Sequence, residues 1–257
     1  MFKKCYCQLI TLCLALGLPF AFSSVAHAAD VRIAVAANFT DTTRELIAAF
    51  DEATGLEAVA SYGSTGKLYA QIDNGAPFDV FLAADSRRPE LLEHNGQGVT
   101  GTRFTYARGK LALWSPVPGT FKDPKIWLES GGFARLAIAN PKTAPYGFAA
   151  QEVLTELNLW EALQDRLVRG DSIAQTFQFV ATTNAQSGFV ALSQVRAWDE
   201  KGGSLWMIPQ SYYSPINQQA ILLKRSENKA AAHQWLEFLR GDKARGIIEN
   251  FGYETEI

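Results

Sequence analysis

Short apolar segments and amphipathic segments alternate along most of this 257-residue chain. The first pair is VRIAVAA, which begins at Val31, and TTRELIAAFDEATG, which places Leu46 and Phe50 on one helical face and ends at Gly55. The later segment FDVFLAA is apolar almost throughout, which is typical of a strand buried on both faces. This alternation predicts an α/β fold with mainly parallel sheets that carry helices on both faces.

One late strand pattern, INQQAILLK, begins at Ile216 after a second α/β series and leads into two more helices. It indicates that the chain leaves a first lobe near Tyr106, builds a second lobe and then returns. We therefore expect two lobes joined by two crossing strands that act as a hinge, with a cleft between them. Lobe 1 would comprise residues 29–107 and 216–257, and lobe 2 residues 108–215. One continuous sheet is the alternative that the sequence leaves open.

Residues 1–28 have the layout of a cleavable secretory signal peptide. A basic start is followed by an apolar run and by the small residues Ala26 and Ala28, after which we expect cleavage. The apolar run is short for a membrane anchor, the alternative interpretation. All three cysteines precede Ala28, so the exported chain would be stabilised by its core without disulfides. We expect a periplasmic protein.

The charge of the chain argues against nucleic acid as a partner. The formal net charge is −2, and removal of Lys3 and Lys4 with the signal peptide makes it more negative. A mildly acidic chain has no general attraction for phosphate backbones. Any anion site must therefore be local.

Four turns place small polar residues where a strand or a loop leads into a helix, around Asn38, Thr65, Tyr146 and Ile173. Ligands of open α/β sheets bind at the carboxyl ends of strands. A helix start also offers unpaired backbone N–H groups and a partial positive charge. Several such starts facing one cleft would hold an oxyanion without a cation. Ordinary helix N-capping is the alternative for each turn taken alone.

The turn YGSTGK around Thr65 is not a nucleotide-binding P-loop. Leu68 follows the Gly-Lys pair where that motif requires Ser or Thr. Lys67 is more typical of a solvated lysine in a first helical turn than of a ligand contact.

The motifs of common enzymes are missing from this sequence. After residue 28 the chain has only His94 and His233 as histidines, and it contains neither a G-x-S-x-G nor an H-E-x-x-H motif. We therefore expect a binding protein that has no catalytic residues. A secreted hydrolase of an anionic substrate is a weaker alternative.

A second alternative concerns the adjacent Tyr212 and Tyr213 in SYYSP. Neighbouring tyrosines can bind ferric iron as phenolates, which would make the protein an iron receptor. The same two side chains can equally be packing aromatics in the cleft wall, and neither histidine has an evident reason to lie beside them.

Several segments resemble the periplasmic molybdate-binding proteins of ABC import systems, and the resemblance runs from Val31 to Tyr253. The segments are VAANFTDTTREL, YGSTGKLYAQIDNGAPFDVFLAAD, LAIANPKTAPYGFAAQEVL and SPINQQAILL. The resemblance implies a type II periplasmic-binding-protein fold whose lobes hold molybdate, and also tungstate, through neutral donors. It implies no cofactor and no direct metal-cation ligand, because molybdenum is bound as an oxyanion. An inner-membrane ABC permease would be the partner of a monomeric receptor.

The resemblance also implies a set of ligand-binding residues. These are Ala37, Asn38, Ser64, Thr65, Tyr146 and Ile173. Thr65 would supply a hydroxyl and an N–H, while Tyr146 and Ile173 would act through their backbone. The chain departs from some family members at Ala191, where those members place a tyrosine hydroxyl. Either Tyr146 replaces that hydroxyl or the site has fewer side-chain donors.

Overall fold

The computed structural model describes residues 29–198 and 202–255. The predicted signal peptide, residues 1–28, lies outside the described residues. Within those two described ranges, every helix is too short or too polar to cross a membrane.

Ten strands form two separate five-stranded sheets in the described part of the chain. The strands are β1 (Val31–Ala36), β2 (Ala58–Gly63), β3 (Val80–Leu82), β4 (Phe104–Gly109), β5 (Leu111–Ser115), β6 (Leu136–Ala139), β7 (Leu167–Gly170), β8 (Ser187–Ala191), β9 (Ser204–Met207) and β10 (Ile216–Leu222). The first sheet has the order β2-β1-β3-β10-β4, and the second has the order β7-β6-β8-β5-β9.

Helices flank both sheets. They are α1 (Thr40–Thr54), α2 (Thr65–Asp73), α3 (Arg87–His94), α4 (Pro124–Ser130), α5 (Pro145–Glu156), α6 (Ile173–Ala181), α7 (Leu192–Arg196), α8 (Lys229–Arg240) and α9 (Asp242–Asn250). Three short 3₁₀ helices cover Ala37–Phe39, Gln164–Arg166 and Gln210–Tyr212.

The two separate sheets with their helices confirm the two-lobed α/β prediction and rule out one continuous sheet. Each sheet is mainly parallel, as the sequence predicts, but it is mixed because one of its five strands runs against the other four. Strand β1 runs parallel to β2 and β3, whereas β10 runs antiparallel to β3 and β4. The second sheet repeats this arrangement, with β5 antiparallel to β8 and β9. The physical reason is that β10 enters its sheet from the second lobe, and so from the opposite direction to β1.

The amphipathic face predicted for α1 packs into the core of the first lobe. Leu46 and Phe50 are fully buried, and the Phe50 ring meets Trp235 of α8 edge-on, with 5.1 Å between ring centroids. Gly55 ends the helix with a φ of 71° and donates its N–H to the carbonyl of Asp51. This packing fixes α1 and the turn that precedes it against the end of β1.

The core of the second lobe fixes α6 in the same way. Trp114 of β5 stacks on Phe177 of α6, with 4.9 Å between ring centroids and 7° between ring planes. Two passages join the lobes, one between Gly109 and Leu111 and one that leads into Ile216. They are tied together because the Leu111 N–H donates to the Tyr213 hydroxyl at 3.1 Å.

Candidate functional site

Each of the four predicted turns lies at the carboxyl end of a parallel strand. The 3₁₀ helix Ala37–Phe39 follows β1, and Ser64 follows β2. In the second lobe, the turn into α5 follows β6 and the start of α6 follows β7. Because β1 pairs parallel with β2, and β6 with β7, each pair of turns shares one edge of its sheet.

The structure brings these two edges together where the lobes meet. Ala37, Ala144, Tyr146 and Ile173 belong to one buried cluster that contains residues of both lobes. The Gly66 N–H in the first turn of α2 donates to the carbonyl oxygen of Thr143, at 2.8 Å, and so joins the second turn to the third. The four turns are therefore in contact with one another, directly or through a neighbouring turn, where the lobes meet.

Three of the four helix starts lack a side-chain cap. Their N-cap residues are Ala36, Ser64 and Ala144, and none of these side chains accepts a hydrogen bond from the first turn. Ordinary capping accounts only for the fourth turn, where Ser172 accepts a hydrogen bond from the Gln175 N–H at 3.3 Å. First-turn N–H groups have no partner inside their own helix. The uncapped starts therefore leave backbone donors for an anion.

The two neighbouring hydroxyls of the second turn differ in their surroundings. The Thr65 side chain accepts a hydrogen bond from the Ala84 N–H at 3.1 Å. Ser64 is 4% exposed, and its Oγ is buried without a hydrogen-bond partner among the described residues. The structure thus makes Ser64 the freer hydroxyl of the pair, whereas the sequence placed the emphasis on Thr65.

Both hydrogens of the Asn38 side-chain amide are used in protein contacts. Its Nδ2 donates to Gln218 Oε1 at 2.7 Å and to the Tyr253 hydroxyl at 3.1 Å. Its carbonyl oxygen lies 3.0 Å from Ser193 Oγ and 2.8 Å from the Tyr253 hydroxyl. The group that Asn38 can offer to a ligand is therefore its backbone N–H.

Tyr146 is buried at the lobe junction, in the same cluster as Ala191. Its hydroxyl has no hydrogen-bond partner among residues 29–198 and 202–255. A side chain at Gly109 would collide with this hydroxyl, so the glycine is needed for the tyrosine to fit. Burial raises the pKa of Tyr146 well above its usual value, and the hydroxyl stays neutral and able to donate.

Two cations near the turns are held by carboxylates. Lys67 Nζ lies 2.7 Å from the Asp171 carboxylate, and this pair bridges the lobes on the exposed rim. Arg88 pairs with Asp85 and also donates to the Lys142 carbonyl at 3.3 Å. Within the described residues, no group of three or more His, Cys, Asp or Glu side chains could hold a metal ion. The turns therefore offer neutral donors.

Tyr212 and Tyr213, the possible iron ligands, have separate partners. The Tyr213 hydroxyl accepts from Leu111, whereas the Tyr212 hydroxyl bonds to the ammonium group of Lys125. A cation beside Tyr212 opposes the approach of Fe³⁺. The two histidines of the described residues, His94 and His233, are exposed on helices. This arrangement does not favour a ferric site.

Three buried polar residues at this junction are not predicted from the sequence, namely Ser193, Gln218 and Tyr253. All three contact Asn38 but lie more than a hundred positions away in the chain. A polar side chain next to an apolar run, such as Gln218 in INQQAILL, is the kind of sequence pattern that could have indicated such a residue.

Two α/β lobes whose helix starts meet at the junction between them define a solute-binding protein. Such a protein is a component of a transport system. The chain belongs to the family described as bacterial extracellular solute-binding protein, whose model matches residues 31–254. This confirms the family resemblance and the fold predicted from the sequence.

Curated relatives and a solved structure agree with this assignment. The chain is 50% identical to the molybdate-binding protein ModA of Azotobacter vinelandii over 248 residues, which cover 96% of this chain and 98% of the relative. It is 47% identical to ModA of Rhodobacter capsulatus, covering 94% and 95% of the two chains. The solved Azotobacter vinelandii periplasmic molybdate-binding protein superposes with a TM-score of 0.84 at 43% identity, covering 87% of this chain and 98% of that one.

Proposed function

We propose that this protein captures molybdate, and also tungstate, between its two lobes in the periplasm. It would deliver the ion, as a monomer, to an ABC permease of the inner membrane. The observation that carries this proposal is the meeting of four helix starts from both lobes around neutral donors. The choice of ion is supported by the two molybdate-binding relatives, at 50% and 47% identity.

The proposed ligand donors come from both lobes. They are the backbone of Ala37, Asn38, Thr65, Tyr146 and Ile173 and the hydroxyls of Ser64 and Thr65. A hydrogen bond to a charged acceptor contributes about 1.5–3 kcal/mol, and a helix start about 0.3–1 kcal/mol. Several such terms together can offset the desolvation of a small dianion, which no single turn could do. Neither a cofactor nor a cation is then required.

Tyr146 is the proposed replacement for the hydroxyl that Ala191 lacks. The support is its burial at the junction, together with a hydroxyl that finds no partner among the described residues.

Sulfate has the same charge and shape as molybdate but is smaller. Selectivity would therefore come from the size of the enclosed space.

Closure of the lobes by hinge motion would complete the site. We propose lobe limits of 29–107 with 216–257, and 108–215, for a chain cleaved after residue 28. The support is that the chain passes from the first sheet to the second between Gly109 and Leu111, two residues beyond the proposed limit, and returns to the first sheet at Ile216.

Calorimetric titration of the exported protein with molybdate, tungstate and sulfate tests the proposal. We expect saturable 1:1 binding of the first two ions and far weaker binding of sulfate. Absence of heat with molybdate would overturn the proposal. A charge-transfer colour with ferric citrate would instead support the iron receptor, and turnover of a phosphate or sulfate ester would support the hydrolase.

A further inference from the structure

A buried polar cluster lies behind the first turn and consists of Asn38, Ser193, Gln218 and Tyr253. We propose that Ser193 and Tyr253 are positioning residues for Asn38, and that the Ser193 contact forms when the lobes close, so that closure aims the Asn38 N–H at the ligand. The inference rests on the proposed function and adds to it two residues that need not touch the ligand.

The cluster joins the two lobes. Tyr253 belongs to the core of the first lobe, where its ring meets Phe39 edge-on with 5.1 Å between centroids. Ser193 is the second residue of α7, the helix that directly follows β8 of the second sheet. The hydrogen bond from Ser193 Oγ to the Asn38 carbonyl therefore crosses from the second lobe to the first, at 3.0 Å and fully buried.

Asn38 is held at both of its polar ends. The carbonyl lies within hydrogen-bond distance of Ser193 Oγ and the Tyr253 hydroxyl, and Nδ2 donates to Gln218 and Tyr253. Holding the carbonyl and the side chain restricts the rotation of the backbone at Asn38. That restriction limits the directions in which the Asn38 N–H can point, which pre-organises it as a donor.

Only one of these contacts depends on closure. Gln218 and Tyr253 lie on the side of the first lobe, and they stay with Asn38 when the lobes separate. Ser193 moves with the second lobe, so opening removes its hydrogen bond. A ligand that needs a fixed Asn38 N–H therefore stabilises the closed state. Closure in turn strengthens ligand binding by the same free energy.

The chemistry of the cluster fits this role. Tyr253 is 5% exposed, and burial raises the pKa of its hydroxyl, which stays protonated and can donate to the carbonyl. The Tyr253 hydroxyl also lies 2.8 Å from Ser193 Oγ, so the two residues support each other.

The test compares Ser193→Ala and Tyr253→Phe with the matched control Ser187→Ala. Ser187 is also a fully buried serine of the second lobe, whose Oγ donates to the Trp114 carbonyl at 2.8 Å. It lies at the opposite end of β8 from Ser193. We expect molybdate affinity to fall about five- to tenfold in Ser193→Ala, the effect of one hydrogen bond to Asn38, and to change less than twofold in the control. The loss should be at least as large in Tyr253→Phe, because the Tyr253 hydroxyl contacts both Asn38 and Ser193.

A second readout separates positioning from general destabilisation. In the exported protein labelled with ¹⁵N, molybdate should shift the Asn38 amide resonance strongly, and by less in Ser193→Ala. Thermal unfolding without ligand checks that every variant folds, and the control should lose about as much stability as Ser193→Ala.

The outcomes that contradict the inference differ from failure of the proposed function. Unchanged affinity in Ser193→Ala, or an equal loss in Ser187→Ala, would overturn the inference while molybdate binding stands. Absence of molybdate binding by the unaltered protein would overturn the proposed function, and the inference with it.

Discussion

The Gly66 N–H donates to the carbonyl oxygen of Thr143 at 2.8 Å, and this bond connects the first turn of α2 to the turn before α5. A Cβ atom at Gly66 would lie 3.0 Å from the backbone of Thr143, so the absence of a side chain allows this approach. The two lobes are thus in direct backbone contact beside the site. Residues on either side of this contact can be tested separately for binding and for closure.

Ser64→Ala should weaken molybdate binding about ten- to a hundredfold, with little change in stability. The Ser64 hydroxyl is buried without a partner among the described residues, so its loss removes a bond to the charged ligand and no bond within the protein. Calorimetric titration and denaturant unfolding of the variant give the two quantities.

Thr65→Val provides the comparison for Ser64→Ala. It removes the acceptor of the Ala84 N–H and leaves that buried donor unsatisfied, which costs about 1–3 kcal/mol of unfolding free energy. Stability should therefore fall in Thr65→Val and not in Ser64→Ala. Full molybdate affinity in Ser64→Ala would exclude its hydroxyl from the site.

Lys67→Ala should change molybdate affinity less than about fivefold. Lys67 pairs with Asp171 across the cleft, but both side chains are more than half exposed, and exposed ion pairs contribute about 0–1 kcal/mol. The small effect should diminish further at high ionic strength, because salt screens exposed charges. Titrations at low and high salt would check this, with Asp171→Asn as the matched variant. A loss of a hundredfold or more would mean that the site relies on a cation.

Much of the fold could be predicted because its strands and helices carry strong local patterns. The elements that could not be predicted from the sequence have weak local patterns. Strand β4 includes Arg108 and ends in Gly109, α4 has only seven residues, and β7 is a four-residue edge strand. Tertiary pairing rather than local preference decides such short elements.

The segment SGFVALSQV shows how a local pattern can mislead. Its apolar residues predict a single strand, but only Ser187–Ala191 is β8, and α7 begins at Leu192. The Gln194 side chain accepts a hydrogen bond from the Ala191 N–H at 3.1 Å, which stabilises the start of that helix. A glutamine inside an apolar run gives little local sign of such a bond.

The candidate site, like the fold, could be predicted from the sequence only in part. Its turns are visible in the sequence, because strand ends followed by small polar residues are short-range patterns. The use of the Asn38 side chain could not be predicted, since its partners Gln218 and Tyr253 are 180 and 215 positions away. Their proximity follows from the return of the chain to the first lobe.

Gly109→Ala should impair lobe closure and weaken molybdate binding. The added methyl group would collide with the Tyr146 hydroxyl, which is the end of a buried ring with little freedom to move. Small-angle scattering with saturating molybdate should show a larger radius of gyration than in the unaltered protein.

Tyr146→Phe offers a specific rescue of Gly109→Ala. Removal of the hydroxyl relieves most of the collision, so the double variant should close more completely than Gly109→Ala alone. If the double variant closes no better, the collision is not the cause of the defect.

Stability should be nearly constant up to about pH 9 and fall above about pH 10. Burial raises the pKa values of Tyr106, Tyr146 and Tyr253 above the ordinary value of 10.0. Above that value the unfolded chain releases these phenol protons while the folded protein keeps them. The unfolded state then binds fewer protons, and the free energy of unfolding decreases by up to about 1.4 kcal/mol per pH unit for each tyrosine. Denaturant unfolding between pH 8 and 11 measures the slope of the free energy of unfolding against pH. This slope should be shallower in Tyr146→Phe, because one ionisable group is lost. An equal slope in that variant would show that Tyr146 ionises as readily in the folded protein as in the unfolded chain.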